Sequence, residues 1–452
     1  MESGLHLHTA SLLPSDCRHD FIYSRALKNT VGKRALGAFL MNKELAEKGR
    51  KRIEWAKSHM NVLGIAGEEI KKRGKLKGLK IGMALHVEAK TACLALALRD
   101  AGSVVRLASC NPLSTDDSVS EALNSVYGLP TFARKGETSE EYYRNLGSVL
   151  EMGPDIIIDD GADLITLLHL ERQDLIAHII GGNEETTTGV IRLRSMEAEG
   201  KLLFPVVAVN DSYMKYLFDN RYGTGQSTLD GVMAATNLLL AGKSIVVAGY
   251  GWCGRGIANK VRGMGGVVTV TEVDPIKAIE AIMDGFTVGK MADVIADADF
   301  ILTATGDRDI VTYETALKAK DGCVMANAGH FNLEIDVETM RSKAKVNTVR
   351  EYVEEFNFEN GKRIYILADG RLVNLAAGQG HPAEIMDMSF TMQALAAEYL
   401  ATERKKLKPG VHILPRKLDT EIAVMKLKTL GVKIDKLTEK QKNYLASWNE
   451  GT

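Results

Sequence analysis

The chain reads as an α/β protein of two doubly wound, mostly parallel sheets with a C-terminal helical tail, and three observations carry that reading. Short apolar, β-branched runs alternate with segments of helical spacing, the pattern of sheets covered by helices on both faces. The alternation comes in two blocks, one up to about residue 220 and one from Lys243 to about Asn374. In the second block, one strand-to-helix junction is glycine-rich with a defined spacing.

Length and composition narrow the class further. At 452 residues the chain has room for two or three domains of about 150 residues each and a sizeable core. Lys and Arg number 57 against 58 Asp and Glu, so no cationic field exists to attract nucleic acid or an anionic membrane. Five cysteines, Cys17, Cys93, Cys110, Cys253 and Cys323, are scattered without a CxxC pair. That argues against a disulfide framework or structural zinc and for a reducing, cytoplasmic setting with no metal. No apolar run approaches the ~18 residues of a spanning helix. The N-terminus also lacks the basic-then-apolar pattern of a secretory signal.

Taken in order, residues 1 to about 35 carry few periodic signals and read as an extension, whose His6 and His8 lack a third metal ligand. Residues 43–72, rich in Glu, Lys, Arg and Ala, predict one or two surface helices. KIGMAL (80–85) is a strand, 91–99 a helix, and VVRLA (Val104–Ala108) a strand again. DIIID (155–159) and VVAV (206–209) are two more strands. Beyond Pro409 the chain is basic and helix-forming to its end.

SIVVA (Ser244–Ala248) runs directly into Gly249-Tyr250-Gly251-Trp252-Cys253-Gly254, then a helical segment, then a second strand (Val267–Thr271) closed by Glu272. This is the full context of a Rossmann-like dinucleotide site. Gly249 permits the tight turn, Gly251 lets the backbone approach a pyrophosphate, and Gly254 allows close helix packing. Amides at the helix N-terminus meet the phosphate charge. Glu272 stands 18 residues after Gly254, where an acid accepts from the ribose hydroxyls and repels a 2′-phosphate, so NAD is expected over NADP.

Further strings are more specific: Glu184-Glu185-Thr186-Thr187-Thr188-Gly189; Val209-Asn210-Asp211-Ser212 with Lys215 and Phe218-Asp219-Asn220; Asn327-Ala328-Gly329-His330-Phe331; and Gly370-Arg371-Leu372-Val373-Asn374-Leu375 leading to Gly380-His381-Pro382. In this order, with GYGWCGRG among them, the chain from about residue 79 to 444 closely resembles the S-adenosylhomocysteine hydrolase (adenosylhomocysteinase) family.

The resemblance implies reversible hydrolysis of S-adenosyl-L-homocysteine to adenosine and L-homocysteine, a step of the methyl cycle, with NAD held throughout. The ribose 3′-hydroxyl is oxidised, the acidified C4′ proton is lost with homocysteine, water adds, and the ketone is reduced again. It also implies a substrate-binding domain over 1–220 and 376–409, an NAD domain over 221–375 and an oligomerisation tail over 410–452. Lys215 and Asp219 match the pair at the 3′-hydroxyl; their i, i+4 spacing is also that of an ordinary surface ion pair. As a base, Lys215 must be partly neutral, which desolvation and the oxidised nicotinamide favour. His86 and Asp160 match the acid–base groups at C4′ and C5′, and Glu185 the ribose carboxylate. Thr186, Thr187, Thr188, Asn220, Asn327 and Asn374 match cofactor contacts. His330 and His381 match active-site histidines, His381 on the substrate side. Lys440 and Tyr444 match tail residues that reach a neighbouring subunit's NAD, implying a homo-oligomer, commonly a tetramer.

Two departures from the family pattern stand out. Thr224 occupies a position where most members carry Cys. After the strand-end histidine, Glu88-Ala89-Lys90 replaces Thr-x-Glu or Thr-x-Gln at the adenine edge. A lysine only donates and a carboxylate only accepts, which suits the O6 and N1–H of hypoxanthine and would favour S-inosyl-L-homocysteine. The alternative is that Glu88 caps a helix N-terminus and Lys90 points to solvent. Two rival functions remain: a dehydrogenase releasing NADH, and a silent NAD-binding regulator. The second is disfavoured because His86, Asp160, Glu185, Lys215, Asp219 and His330 are all present.

Overall fold

Buried β-branched runs become strands of two separate sheets in the computed structural model, which describes residues 42–449. The N-terminal extension, with His6, His8 and Cys17, lies outside the described residues. The first sheet joins β1 (Lys80–Ala84), β2 (Val104–Ala108), β3 (Thr131–Phe132), β4 (Ile156–Asp159), β5 (Gly181–Glu184), β6 (Pro205–Ala208) and β15 (Gly410–His412) in the order 15-6-5-4-1-2-3. Every pair in it is parallel. The second joins β7 (Ser244–Ala248), β8 (Val267–Thr271), β9 (Thr287–Val288), β10 (Phe300–Thr303), β11 (Cys323–Asn327), β12 (Ala344–Arg350), β13 (Val353–Phe358) and β14 (Arg363–Leu367) in the order 12-13-14-11-10-7-8-9.

The second sheet is not wholly parallel as expected: β12, β13 and β14 pair antiparallel at one edge. The β12–β13 connection, with Tyr352 at φ 62°, is far too short for a parallel crossover. Strand β5, GGNE, has no propensity signal, and its glycines are there for packing. A Cβ on Gly181 would stand 2.8 Å from the Pro205 carbonyl and 2.7 Å from the Leu400 side chain, on the helix Ala383–Glu403 that lies over the strand.

That helix carries the chain back to the first sheet and is buried along most of its length. Its Asp387 accepts from the amides of Val62 and Leu63, supplying from a distant segment the cap that the helix Asn61–Arg73 lacks locally. The predicted surface helices at 43–72 are thus half core: Ile53, Met60, Leu63, Ala66 and Ile70 all join the main apolar cluster. The expected tail boundary at 410 is corrected, because 410–412 pairs with β6 and the helix Arg416–Thr429 packs on the body through Leu418, Ile422 and Met425. Only beyond Leu430 is the tail exposed, ending in the helix Glu439–Ala446, which buries nothing. Among the described residues, no helix is long and apolar enough to cross a membrane.

Candidate active site

The C-terminal ends of the two sheets' strands line one cavity of about 1260 Å³, where ligands of open α/β sheets bind. From the first sheet, β1 leads to His86, β4 to Asp160 and β5 to Glu185; β6 leads through a short turn to Lys215 on the helix Tyr213–Tyr216 and then to Asp219, Asn220 and Thr224. The second sheet contributes the glycine turn after β7, Glu272 after β8 and His330 after β11.

The acids form two layers. Asp159 and Glu184 pair across β4 and β5 and are fully buried; the next residues, Asp160 and Glu185, face the cavity. Asp159 is held by the amides of Asp160 and Ile165, and Glu184 by those of Gly161 and Thr186. Burial pushes Asp159 up to about 7 and Glu184 well above the usual carboxyl range, so the inner layer holds protons more readily than free carboxyls do. Sequence reading missed this inner layer, although the doubled acids DD and EE were its visible sign.

One wall of the cavity is charged. Lys215 Nζ reaches Asn220 Oδ1 at 2.8 Å, Asp219 Oδ1 at 3.2 Å, Asn210 Oδ1 at 3.4 Å and Glu185 Oε1 at 3.7 Å. Burial presses the ammonium towards neutrality, but Asp219, Glu185 and Asp160 outweigh it and hold Lys215 above its usual range. The expectation of a partly neutral Lys215 is therefore corrected for the protein alone: three carboxylates overcome desolvation. For Asp219 burial is likewise outweighed, by Lys215 and His381, and it stays well below the usual carboxylate range. Glu185, which accepts from Ser389 Oγ at 2.7 Å and from Gln393 Nε2, is pushed up to about 7 by burial against the pull of Lys215.

On the opposite wall it is the His86 imidazole that is uncharged. His86 Nε2 lies 3.4 Å from Asp160 Oδ2, and its Nδ1 lies 2.7 Å from Ser114 Oγ and 3.3 Å from Cys110 Sγ. Burial lowers His86 to about 4; Asp160 and, more weakly, Asp219 pull the other way and do not restore it beside His330 and His381. Asp160 Oδ1 lies 3.5 Å from His330 Nδ1. His330 presses so close that a Cβ on Gly161 would stand 2.3 Å from its Nε2. Among the described residues, His86, Asp160 and His330 form the one group whose ligand atoms, all within 4.8 Å of one another, could hold a metal ion.

The three glycines of the turn sit in different surroundings. Gly249 has φ 94°, and a Cβ on it would lie 2.9 Å from the Ala304 carbonyl. A Cβ on Gly251 would meet nothing within 4 Å, and one on Gly254 would strike the Gly249 carbonyl. Glu272 is held at the turn, accepting from the Tyr250 amide at 2.6 Å. Buried Asn374 donates to Ser227 Oγ but leaves its Oδ1 without a partner at the cavity wall, ready for a carboxamide N–H. An NAD molecule fits this donor set. Thr186, Thr187 and Thr188 also line the cavity, Thr187 lying 3.5 Å from Asn220.

Three expected cofactor contacts stand apart. Asn327 does not line the cavity; its amide donates to the carbonyls of Gly329, Phe331 and Gly370 and accepts from Gly329 and Thr303, so it shapes the loop that carries His330. Lys440 and Tyr444 lie exposed on the last helix and do not line this chain's cavity.

At the far end, both alternatives for Glu88-Ala89-Lys90 are half met. Glu88 does cap the helix Ala89–Asp100, accepting from the amides of Lys90 and Thr91. Lys90, however, is buried and lines the cavity, its Nζ lying 2.6 Å from both Glu88 Oε2 and the Gln379 carbonyl.

Residues 39–176 match the family described as S-adenosyl-L-homocysteine hydrolase, and residues 220–380 match that hydrolase's NAD binding domain. An adenosylhomocysteinase of Thermoplasma acidophilum is 58% identical over 406 residues, 90% of this chain and 99% of the relative. An adenosylhomocysteinase of Archaeoglobus fulgidus is 56% identical over 405 residues, 89% and 100% of the two chains. An S-inosyl-L-homocysteine hydrolase of Methanosarcina mazei is 54% identical over 414 residues, 91% and 100%.

Proposed function

The chain belongs to the S-adenosyl-L-homocysteine hydrolase family, and we propose that its cavity divides that family's chemistry between the charged and the neutral wall. It is a hydrolase that uses NAD and cleaves S-adenosyl-L-homocysteine reversibly to adenosine and L-homocysteine. NAD, when bound, supplies the hydride acceptor for the 3′ carbon and a positive ring. Every other part falls to the chain's own residues.

On the charged wall, Glu185 holds the ribose hydroxyls and the Lys215–Asp219 pair takes the 3′-hydroxyl proton. The carboxylates around Lys215 keep it protonated until further positive charge enters the cavity, so the base becomes competent only in the loaded site. On the neutral wall, His86 and Asp160 take the C4′ proton, pass one to the departing thiolate and later direct water to C5′, with His330 holding Asp160. Reversal of the first step restores the alcohol, and the net change is hydrolysis. The observation that carries this reading is that Lys215–Asp219–Glu185 and His86–Asp160–His330 face one cavity beside the glycine turn.

A second reading concerns the base. Lys90 uses two donors on Glu88 and Gln379 and keeps a third for a purine O6, which favours S-inosyl-L-homocysteine. Relatives named for either substrate are similar to this chain at nearly the same identity, so overall likeness does not choose between them. A mispaired buried donor costs about 1–3 kcal/mol, roughly 10- to 100-fold in rate. Homocysteine release from both thioethers, assayed in parallel on NAD-loaded protein, tests both readings. Faster release from the adenosyl compound supports the first and a strong inosyl preference the second. No release from either contradicts both.

The lobes are proposed to divide as the sheets do, with 1–220 and 376–409 holding substrate and 221–375 holding NAD. The exposed tail, whose Ile434, Leu437, Leu445 and Trp448 have no cover in this chain, supports a homo-oligomer in which Lys440 and Tyr444 reach a neighbour's cofactor; a tetramer in the cytoplasm is the proposed form.

A further inference from the structure

The departure at Thr224 has a geometric counterpart on the other lobe. Thr224 opens the helix Thr224–Thr236 directly after the turn that carries Asp219, and it is 5% exposed. Its Oγ1 lies 3.3 Å from His381 Nε2 and 3.6 Å from Cys253 Sγ, a thiol in the glycine turn itself. On the other side of the imidazole, Nδ1 lies 3.2 Å from Asp219 Oδ1, the same oxygen that accepts from Lys215 Nζ at 3.2 Å. A Cβ on Gly223 would stand 2.9 Å from the His381 ring, so the ring sits against bare backbone on that face.

Counting hydrogens fixes the direction of this chain of contacts. Ionised Asp219 can only accept, so His381 carries a hydrogen on Nδ1. On the other side of the ring its Nε2 meets the Thr224 hydroxyl, which donates to Cys253 Sγ. A hydroxyl, with one donor and two acceptor sites, serves both neighbours at once; valine would serve neither.

We propose that Thr224, backed by Cys253, is a positioning residue that holds His381 with its Nδ1–H on Asp219. The consequence falls on Lys215. A carboxylate shared with His381 draws less strongly on the lysine's proton, so Lys215 gives that proton up more readily in the loaded site. If His381 turned away, Asp219 would bind the ammonium alone and retain it. The loss would therefore appear in the oxidation step more than in substrate binding. This inference rests on the role of Lys215 and Asp219 at the 3′-hydroxyl stated above.

The test uses the full chain loaded with NAD and compares the parent with Thr224→Val, Thr224→Ser and Cys253→Ala. Two readouts are taken: homocysteine release, and the rate at which bound reduced nicotinamide appears by absorbance when nucleoside is added. Loss of one buried hydrogen bond predicts that Thr224→Val lowers kcat and the reduction rate by about 10-fold, with KM within about threefold. Thr224→Ser should recover to within about threefold of the parent. Cys253→Ala should cost about two- to threefold alone and nothing further in the Thr224→Val background, because the two act in one chain. Thr224→Val matching an active parent in both readouts would overturn the inference while leaving the hydrolase reading intact. Thr224→Ser as impaired as Thr224→Val would overturn it too, since the hydroxyl would then not be what matters. A parent that releases no homocysteine would overturn the reading on which it rests, and the inference with it.

Discussion

The two walls of the cavity bury ionisable groups to a similar depth and leave them in opposite states. Lys215 is surrounded by Asp219, Glu185 and Asp160 and keeps its charge despite burial. His86 feels Asp160 and, more weakly, Asp219 against two imidazoles, His330 and His381, and burial strips its charge at any pH above about 4. Desolvation has the same sign for both cations; the balance of carboxylates against neighbouring imidazoles decides the outcome. One wall thus stores a charge that further positive charge can release, and the other presents a neutral imidazole able to accept or pass a proton at neutral pH.

The comparison breaks most visibly at Lys215. Lys215→Met should lower homocysteine release by about 10³-fold or more, with bound NAD no longer reduced when nucleoside is added, as measured by thiol-reactive dye and nicotinamide absorbance. His86→Asn should cost about 10²-fold in homocysteine release but leave the reduction of bound NAD by nucleoside within a few-fold of the parent. The contrast between those variants is what separates the walls.

A smaller effect is expected at the base end. Lys90→Met removes the donor facing the purine and should shift the ratio of turnover on inosyl against adenosyl thioether by roughly 10- to 100-fold towards the adenosyl compound. The parallel thiol assay reads it directly.

The smallest effect is on stability. Glu185 sits near 7 when folded against 4.5 in the open chain, so between those values the folded chain holds a proton that the unfolded chain has lost. Its stability contribution is therefore fully present below about 4.5 and is lost as pH rises through about 7. His86, shifted downward from 6.5 to about 4, works in the opposite sense, and its contribution is lost as pH falls through about 4. Glu185→Gln should accordingly flatten the fall in Tm between about pH 5 and 8, measured by calorimetry on NAD-free protein.

What the sequence disclosed follows from how locally each feature is encoded. The glycine turn was legible because Gly249, Gly251 and Gly254 lie within six residues, and the structure leaves no room for a Cβ at Gly249 or Gly254. Lys215 and Asp219 also share a local spacing, yet that spacing alone is equally that of a surface pair. What distinguishes them is the company of Glu185 and His381, which other segments supply. His86 and His330 come from different sheets and meet at Asp160 with their rings 5.8 Å apart, so no local pattern could join them, and the resemblance did.

The misses have physical causes as well. Strand β5 carries glycine because the Ala383–Glu403 helix leaves no room for a Cβ, which erases the β signal. The antiparallel edge depends on a tight connection whose Tyr352 adopts φ 62°, a conformation no propensity scale assigns to tyrosine. Asn327 has the chemistry of a cofactor contact but spends it on its own loop and on Gly370 and Thr303 beside it. Lys90 could not be placed from sequence because the Gln379 carbonyl that holds it lies in the return segment.

The division of labour between the walls is tested most directly by hydrogen exchange at C4′. NAD-loaded parent, His86→Asn and Lys215→Met would each be mixed with nucleoside in deuterated water, following reduced nicotinamide by absorbance and C4′ deuterium by mass spectrometry. The account predicts reduction and exchange in the parent, reduction with exchange slowed about 10²-fold in His86→Asn, and neither in Lys215→Met. Undiminished exchange in His86→Asn, or reduction that persists at the parent's rate in Lys215→Met, would contradict it.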